Sequence, residues 1–325
     1  MRLNLGLYSL WVVVAGPCAR LCMGLMCAAL VLRGQGLITT VAGTEYLPIH
    51  TGLKAVDTPI SSGPGLTFDP QGRAVVSDAS LHVVYRIERD GTITVLAGNG
   101  LRGSSGDDEP AVNAALNTPT AVAYDPAGTL YIVDAGNNRV RAVSPAGVIT
   151  SVLINVGFTR SLCIDSSGAI YLTSGPTVFK WVPGTGSVPR IAGGTYGFGG
   201  DGGPAVSASL NPIRGLAVDA AGNLYIADGL NHRIRRVSPD GIITTVAGTG
   251  QAGYSADGVL ATAAALNAPV GIAVDRSGTV YFGEFGNFVI RRIDSNGAIR
   301  TVAGNHNTFV SKKADGSYKV PLRKV

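Results

Sequence analysis

The sequence predicts an all-β fold, a β-propeller of four-stranded antiparallel blades with five complete blades and an incomplete sixth. Two stretches, residues 191–248 and 245–304, repeat one pattern, and a strand-rich repeat of roughly 40–50 residues is typical of propellers. The chain also has 45 glycines, which allow tight hairpin turns. Segments such as RIRRVS alternate apolar and polar residues, as half-buried strands do. A single sheet of this kind would leave an apolar face exposed to water, so we expect the units to pack against each other around an axis.

Composition excludes a disordered chain, because 46% of the residues are hydrophobic and 14% are charged. The formal charge of +5 overstates the charge of the body. The first 36 residues contain Arg2, Arg20 and Arg33 and no acid, which leaves 23 basic and 21 acidic residues. A body this close to neutral has no global attraction for nucleic acid.

An apolar segment opens the chain at residues 3–32, interrupted by Arg20. Pro17 and Arg20 divide it into pieces of roughly a dozen residues, a length typical of signal-peptide cores. We expect residues 1–36 to be a signal peptide or membrane anchor and the chain to be exported, periplasmic or extracellular. A start codon placed too early, on an intracellular protein, is the alternative.

Each unit between residues 37 and 304 has the same order of elements. A short apolar strand ends in Asp, a Gly-containing turn and a strand such as LYIAD follow, and then come a second turn, a third strand and a last strand such as ITTVAG. An Asp followed by x-x-Gly accepts hydrogen bonds from turn amides. We therefore expect a structural role for Asp69, Asp125, Asp165, Asp219 and Asp275.

Three of the loops between units share a pattern, at residues 106–117, 200–211 and 256–267. The spacing A-x-x-A-x-L predicts one or two helical turns with the Leu directed inward, and an Asp near the start predicts a helix cap. These residues are Asp107, Asp201 and Asp257. Calcium binding is the alternative, although the loops have few alternating oxygen ligands.

The second turns carry the most specific motif. Asp134-Ala-Gly-Asn137-Asn138-Arg139-Val and Asp228-Gly-Leu-Asn231-His232-Arg233-Ile resemble the signature of NHL repeats, and the similarity extends over residues 38–304. The fifth unit departs from the signature at Glu284 and Val289, and the first at His82 and Val83. The resemblance implies a propeller, most often with six blades. Its nearest look-alikes are exported bacterial proteins, better-understood relatives bind protein or RNA on a propeller face, and distant ones are hydrolases or lyases.

Six copies of the last strand occur, but only five sets of the other three strands. After Gly304, the ADG at 314–316 echoes the ADG at 256–258. We therefore expect residues 305–325 to be the start of a truncated sixth blade. Five blades with a loose tail are the alternative.

The mouth of the central channel is the predicted binding site. The positions five residues before each inner-strand Asp are Pro64, Thr120, Arg160, Arg214 and Val270. Arg160 and Arg214 come from neighbouring blades and are weak candidates for binding one anionic ligand together. Two solvated arginines at loop ends are the favoured interpretation. Asn138 and His232, in second turns, are further candidates.

No catalytic or metal-binding group is predicted. The four histidines lack zinc spacing, and no Gly-x-Ser-x-Gly segment occurs. Arginines recur on the third strands, where we expect them to form the polar face with their stems packed on neighbouring blades, so nucleic acid is a disfavoured partner. Cys163 replaces an Ala of its sister repeats and is expected to be a small buried core residue.

These observations together predict a non-catalytic binding scaffold without a cofactor. We expect loops between the blades, on one face, to bind a protein or a cell-surface polymer. The membrane is expected to be contacted only through the N-terminal segment. A lactonase- or lyase-like enzyme with its site in the channel is the alternative.

Overall fold

A computed structural model describes residues 51–58, 65–157, 159–304, 311–312 and 318–319. Within these ranges the chain forms strands and six 3-10 helices of three residues each. No helix in the described ranges is long and apolar enough to cross a membrane. The predicted leader, residues 1–36, and Pro64 lie outside the described residues.

Five antiparallel sheets account for most of the described chain, four with four strands and one with four strands and a short edge strand, which confirms the predicted propeller blades. The first blade consists of β1 Leu66–Phe68, β2 Ala74–Asp78, β3 Val83–Ile87 and β4 Ile93–Ala97. The second consists of β6 Pro119–Tyr124, β7 Leu130–Asp134, β8 Arg139–Val143 and β9 Val148–Ile154, with the short β5 Glu109–Pro110 added to the edge of β9. The third consists of β10 Leu162–Ile164, β11 Ile170–Ser174, β12 Thr177–Trp181 and β13 Arg190–Gly193. The fourth consists of β14 Gly215–Val218, β15 Leu224–Asp228, β16 Arg233–Val237 and β17 Ile243–Ala247. The fifth consists of β18 Pro269–Val274, β19 Val280–Glu284, β20 Val289–Ile293 and β21 Ile299–Gly304.

The tail contributes one further ladder, between β22 Ser311–Lys312 and β23 Tyr318–Lys319. These two strands form a sheet of their own. The rest of residues 305–325 lies outside the described chain, so the truncated sixth blade stays a prediction.

The 3-10 helices occupy two recurring places. Three of them lie within the patterned loops, one lies before the first strand of the first blade, and two occupy second turns. They are η1 Ala55–Asp57, η2 Ala111–Asn113, η3 Ala135–Asn137, η4 Ala205–Ser207, η5 Gly229–Asn231 and η6 Ala261–Ala263. In the three patterned loops the inward leucines Leu116, Leu210 and Leu266 are fully buried, as expected.

Two compact units divide the chain, the first ending at Gly168 and the second beginning at Ala169. In the first, inner strands β1 and β6 are in contact, and the core packs the faces of its two complete blades together, with Val84, Leu116 and Ile132 at its centre. In the second, β14 and β18 are in contact, and the core between its last two blades contains Ile234, Leu266 and Phe282. Each unit therefore buries the sheet faces that a single blade would expose.

Candidate functional site

The five inner-strand aspartates lie at the ends of their strands and accept hydrogen bonds from their own turns. Asp69 accepts the amide of Arg73 at 2.8 Å, and Asp125 accepts that of Thr129 at the same distance. The corresponding acceptors in the other blades are Asp165, Asp219 and Asp275. In the first unit, Asp69, Asp125 and Asp165 line one open groove of about 340 Å³. Their carboxylates are thus at one end of the inner strands, but each already has a turn amide as its partner.

The channel-mouth candidates lie in different surroundings. Thr120 is half-buried on β6, and its hydroxyl oxygen has no hydrogen-bond partner. Arg160 is exposed just before β10 in the first unit. Arg214 is half-buried just before β14 in the second unit, where its stem packs against Gly229. A shared anionic ligand for the two arginines stays a prediction.

His232 ends its second turn in a left-handed backbone conformation, with φ of 53°. Its Nδ1 accepts the amide of Ala268 at 3.1 Å, which ties the fourth blade to the segment leading into the fifth. Burial and the neighbouring Arg233 lower the pKa of His232. The neutral ring is the form that this hydrogen bond requires, because a protonated Nδ1 has no lone pair to accept with.

His82 makes the same link in the first unit, where its Nδ1 accepts the amide of Thr118 at 3.1 Å. Asn138 holds the equivalent place in the second blade with φ of 51°, and it is exposed. Its backbone carbonyl accepts the amide of Val156. These turn residues therefore act in the contacts of their own units.

Three third-strand arginines are fully buried, which corrects the expectation that these arginines form a polar face. Arg141, Arg235 and Arg291 have no exposed side-chain surface. Each lies between two carboxylates. In the fourth blade, Arg235 is 3.5 Å from Asp228 and 2.8 Å from Asp201. The other two sets are Asp134–Arg141–Asp107 and Glu284–Arg291–Asp257.

The role predicted for the loop aspartates as helix caps is wrong. Neither η2, η4 nor η6 has a side-chain cap, and the residues at their cap positions are Pro110, Pro204 and Leu260. Asp201 instead binds Arg235 and the hydroxyl of Thr245, and Asp257 binds the amide of Thr301. The Asp that stands nine residues before the buried Leu therefore supplies one of the two carboxylates that bind the buried arginine. A buried guanidinium requires such nearby carboxylates.

The second-turn carboxylate organises the rest of the NHL-like motif. Asp228 accepts the amide of Asn211 at 2.9 Å and both of its oxygens are reached by Asn231, whose amide also donates to the carbonyl of Gly197 at 2.6 Å. Burial raises the pKa of Asp228 and of Asp134. Burial raises the pKa of Glu284 to about 7.

Aromatic side chains cover two of the buried arginines, a feature that sequence reasoning missed. The guanidinium of Arg235 lies 4.8 Å from the ring centre of Phe198, and that of Arg291 lies 4.7 Å from that of Tyr254. The guanidinium of Arg233 also lies over Phe198, 3.7 Å from its ring centre. The signal was present in the sequence, because Phe198 and Tyr254 both stand three residues before the loop Asp, where the second blade has Ser104.

Within the described residues, no group of three His, Cys, Asp or Glu side chains is placed to hold a metal ion. Cys163 lies on β10 and is half-buried rather than fully buried, and burial raises the pKa of its thiol. A thiol with a raised pKa is a poor nucleophile.

Sequence comparisons identify related repeats over most of the chain. A profile of the Teneurin NHL domain matches residues 179–255 and 250–325, and a profile of the NHL repeat matches residues 116–142. The protein SUPPRESSOR OF QUENCHING 1, chloroplastic, of Arabidopsis thaliana is 27% identical over 271 residues, which cover 74% of this chain and 26% of the relative. Teneurin-1 of Mus musculus is 29% identical over 274 residues, or 73% of this chain and 10% of the relative. The chain thus spans about a quarter or less of the length of these relatives.

Solved structures share the fold at low sequence identity. A structural genomics protein of unknown function from Bacteroides thetaiotaomicron has a TM-score of 0.62 at 17% identity, covering 82% of this chain and 64% of that one. An auxiliary nutrient binding protein from Bacteroides ovatus has a TM-score of 0.57 at 20% identity, covering 75% and 60%. A gluconolactonase from Xanthomonas campestris has a TM-score of 0.50 at 18% identity, covering 73% and 74%. At these identities the likeness shows the fold alone.

Proposed function

The chain belongs to the NHL-repeat β-propeller family, and from this premise we propose that it is a non-catalytic binding scaffold that holds a protein on the loops between its blades. The main support is that its carboxylates already have partners within the protein. The inner-strand aspartates are bound by their own turns, and the loop and second-turn carboxylates are bound to buried arginines. Among the described residues, few carboxylates are therefore available to act as a paired general acid and general base.

The similarity to teneurin NHL domains over residues 179–325 supports the same proposal. These matches cover the blades whose loops carry the exposed aromatic residues Tyr196 and Phe198. Loops held by a rigid sheet are the usual location of binding residues. As part of the proposal the chain is exported through residues 1–36, and a fusion of that segment to periplasmic alkaline phosphatase tests this, since the reporter is active only outside the cytoplasm.

Site-specific photocrosslinking tests the binding face. A crosslinking amino acid is placed at Tyr196, on an inter-blade loop, and in a matched variant at Asp240, which is exposed in the turn at the opposite end of β16. We expect protein adducts in the native host from the Tyr196 position and few from Asp240. Equal adducts from both positions, or none, would contradict binding on the loop face.

An enzyme of lactonase or lyase type is the alternative, since propellers of both kinds share the fold. Turnover of a lactone such as gluconolactone by the purified full chain distinguishes the two functions. We expect no rate above the uncatalysed background. Saturable turnover that is abolished by substitution of a predicted channel-mouth residue such as Arg214 would replace the scaffold with the enzyme.

A further inference from the structure

We propose that one surface of the second unit docks an acidic, apolar-rich segment of a partner protein, with Arg233 as the residue that selects its charge. This proposal rests on the proposed function, because it names the chemistry of the partner. The surface, called here the aromatic surface, consists of Tyr196, Phe198, Leu230, Phe285 and Phe288.

This surface carries the exposed aromatic rings of the described chain. In the part of the chain that the structure describes, all of the exposed aromatic side chains are Tyr196, Phe198, Phe285 and Phe288, with exposures of 66%, 45%, 36% and 40%. Leu230, in the turn between them, is 55% exposed. Large apolar residues left exposed together mark interaction sites, and aromatic residues and Arg are enriched where proteins bind each other.

The segments that carry these residues are joined directly. Asn231 donates to the carbonyl of Gly197, which links the second turn of the fourth blade to the loop of Tyr196 and Phe198. The same turn binds Ala268 through His232, and the carbonyl of Ala268 accepts the amide of Phe285 at 3.0 Å. The aromatic residues are therefore held by one connected set of loops and turns within the second unit.

This surface carries Arg233, whose guanidinium has no carboxylate within salt-bridge distance among the described residues. The nearby carboxylate of Asp201 is 37% exposed and pairs with Arg235. The carboxylates beneath the surface, Asp228 and Glu284, are fully buried, and Asp201 also binds Thr245. Arg233 is half-buried, with its guanidinium stacked on Phe198 and its N–H groups directed at the backbone carbonyls of Asn231 and Thr249. A stacked guanidinium keeps its charge and its fork geometry, which suits a carboxylate of a partner.

The second blade provides an internal comparison. Arg139 occupies the position of Arg233, but the residue in place of Phe198 is Ser104, and Arg139 lies 3.9 Å from Asp107 and 3.4 Å from Ser151. The same strand position thus carries an arginine without an aromatic neighbour, so Arg139→Gln is a matched control for Arg233→Gln.

Fluorescence anisotropy with synthetic copolymers tests the chemistry. The full chain is titrated into labelled Glu/Tyr copolymer, Lys/Tyr copolymer and single-stranded RNA. We expect the Glu/Tyr probe to bind tightest, and we expect Arg233→Gln to weaken it about tenfold, the usual worth of a hydrogen bond to a charged group. Tyr196→Ser, which leaves Arg233 in place, is expected to weaken it severalfold, whereas Arg139→Gln is expected to have no effect.

Several results would overturn the proposal. Equal losses of affinity for the Glu/Tyr copolymer in Arg233→Gln and Arg139→Gln would show that this surface does not select acidic partners. Binding of the Lys/Tyr copolymer as tight as that of the Glu/Tyr copolymer would show the same. Tighter binding of RNA would assign the surface to nucleic acid. If crosslinked adducts at Tyr196 persist in the Arg233→Gln chain, the acidic partner is refuted and the scaffold function stands. If no adducts form at Tyr196 even when Arg233 is retained, the scaffold function itself is refuted. Unchanged thermal unfolding of each variant confirms that it is folded.

Discussion

The buried arginine and the loop carboxylate that binds it are present together or absent together from one repeat to the next. The second, fourth and fifth blades have all three members of the set. In the first blade, Tyr85 replaces the arginine, and Thr51 accepts the amide of Val95 where Asp257 accepts that of Thr301 in the fifth blade. In the third blade the arginine position is Phe179. The first blade keeps its second-turn carboxylate, Asp78, which is fully buried and accepts the amides of Ser80 and Leu81. A lone guanidinium in a dry interior is costly, so the arginine is lost together with its loop carboxylate.

Substitution of one member alone is therefore expected to be severe. Arg291→Met leaves Glu284 buried without its partner, and we expect the free energy of unfolding to fall by about 3–5 kcal/mol. The matched control is Arg292→Met, the next residue on β20, whose side chain is 42% exposed and pairs with Asp294. A surface pair contributes about 1 kcal/mol or less. Urea denaturation measures both, and equal losses would contradict a buried charge set.

The titration of Glu284 is expected to contribute to the pH dependence of the free energy of unfolding. Burial raises the pKa of this carboxyl from 4.5 to about 7 in the folded chain, so between those values the folded state retains a proton that the unfolded state has released. Its contribution to stability is therefore present below the unfolded pKa and is lost as the pH rises towards 7. We expect the unfolding free energy of the unsubstituted chain to decline from pH 5 to pH 8 relative to that of Glu284→Gln. Parallel curves for the two proteins would refute this pKa shift.

At the scale of single elements, the second turn couples consecutive blades through a histidine. His232→Asn is expected to preserve the left-handed backbone, since Asn138 adopts φ of 51° at the equivalent position, but to lose the bond to the amide of Ala268. An unpaired backbone amide costs about 1–3 kcal/mol. Urea denaturation at pH 8 measures the loss, with the exposed neighbour Leu230→Asn as the control.

The same variant has an expected signature in its pH profile. Because the folded pKa of His232 is lowered, the unfolded chain takes up the proton first as the pH falls, so stability falls as the pH drops through the unfolded pKa of about 6.5. In His232→Asn we expect this decline to be shallower. An unchanged slope would mean that the ring does not titrate differently in the two states.

The last strands show why alternation alone predicts a blade imperfectly. In every blade the pairing of the third and fourth strands shifts by one residue at the same place, before Tyr85, Arg141, Phe179, Arg235 and Arg291. Each shift leaves one apolar residue unpaired, for example Val246 between Thr245 and Ala247. Such a bulge turns the strand locally and changes which side chains reach the interior. The glycine that follows is required, since a side chain at Gly248 would collide with the carbonyl of His232.

At the scale of the whole molecule, metal removal is expected to have no effect. Propellers with catalytic or structural metals gather several oxygen ligands around one ion, whereas the inner-strand carboxylates here are bound by their own turns. We expect the thermal midpoint of the full chain to be the same in EDTA and in millimolar calcium. A rise in midpoint that follows the calcium concentration would reveal an ion site and favour the enzyme.

Local sequence patterns are sufficient to predict the blades but not the partners of their buried arginines. The repeat period, the strand alternation and the Asp-x-x-Gly turns are short-range features, and they predicted the four-stranded blades and the acceptors of the turn amides from the sequence by itself. The loop carboxylates that bind Arg141, Arg235 and Arg291 are 34 residues away in the chain, in a loop whose pattern resembles a helix start. Only the tertiary structure decided that those loop aspartates bind buried arginines, because the cost of burying a guanidinium depends on which groups the fold brings within about 3 Å of it.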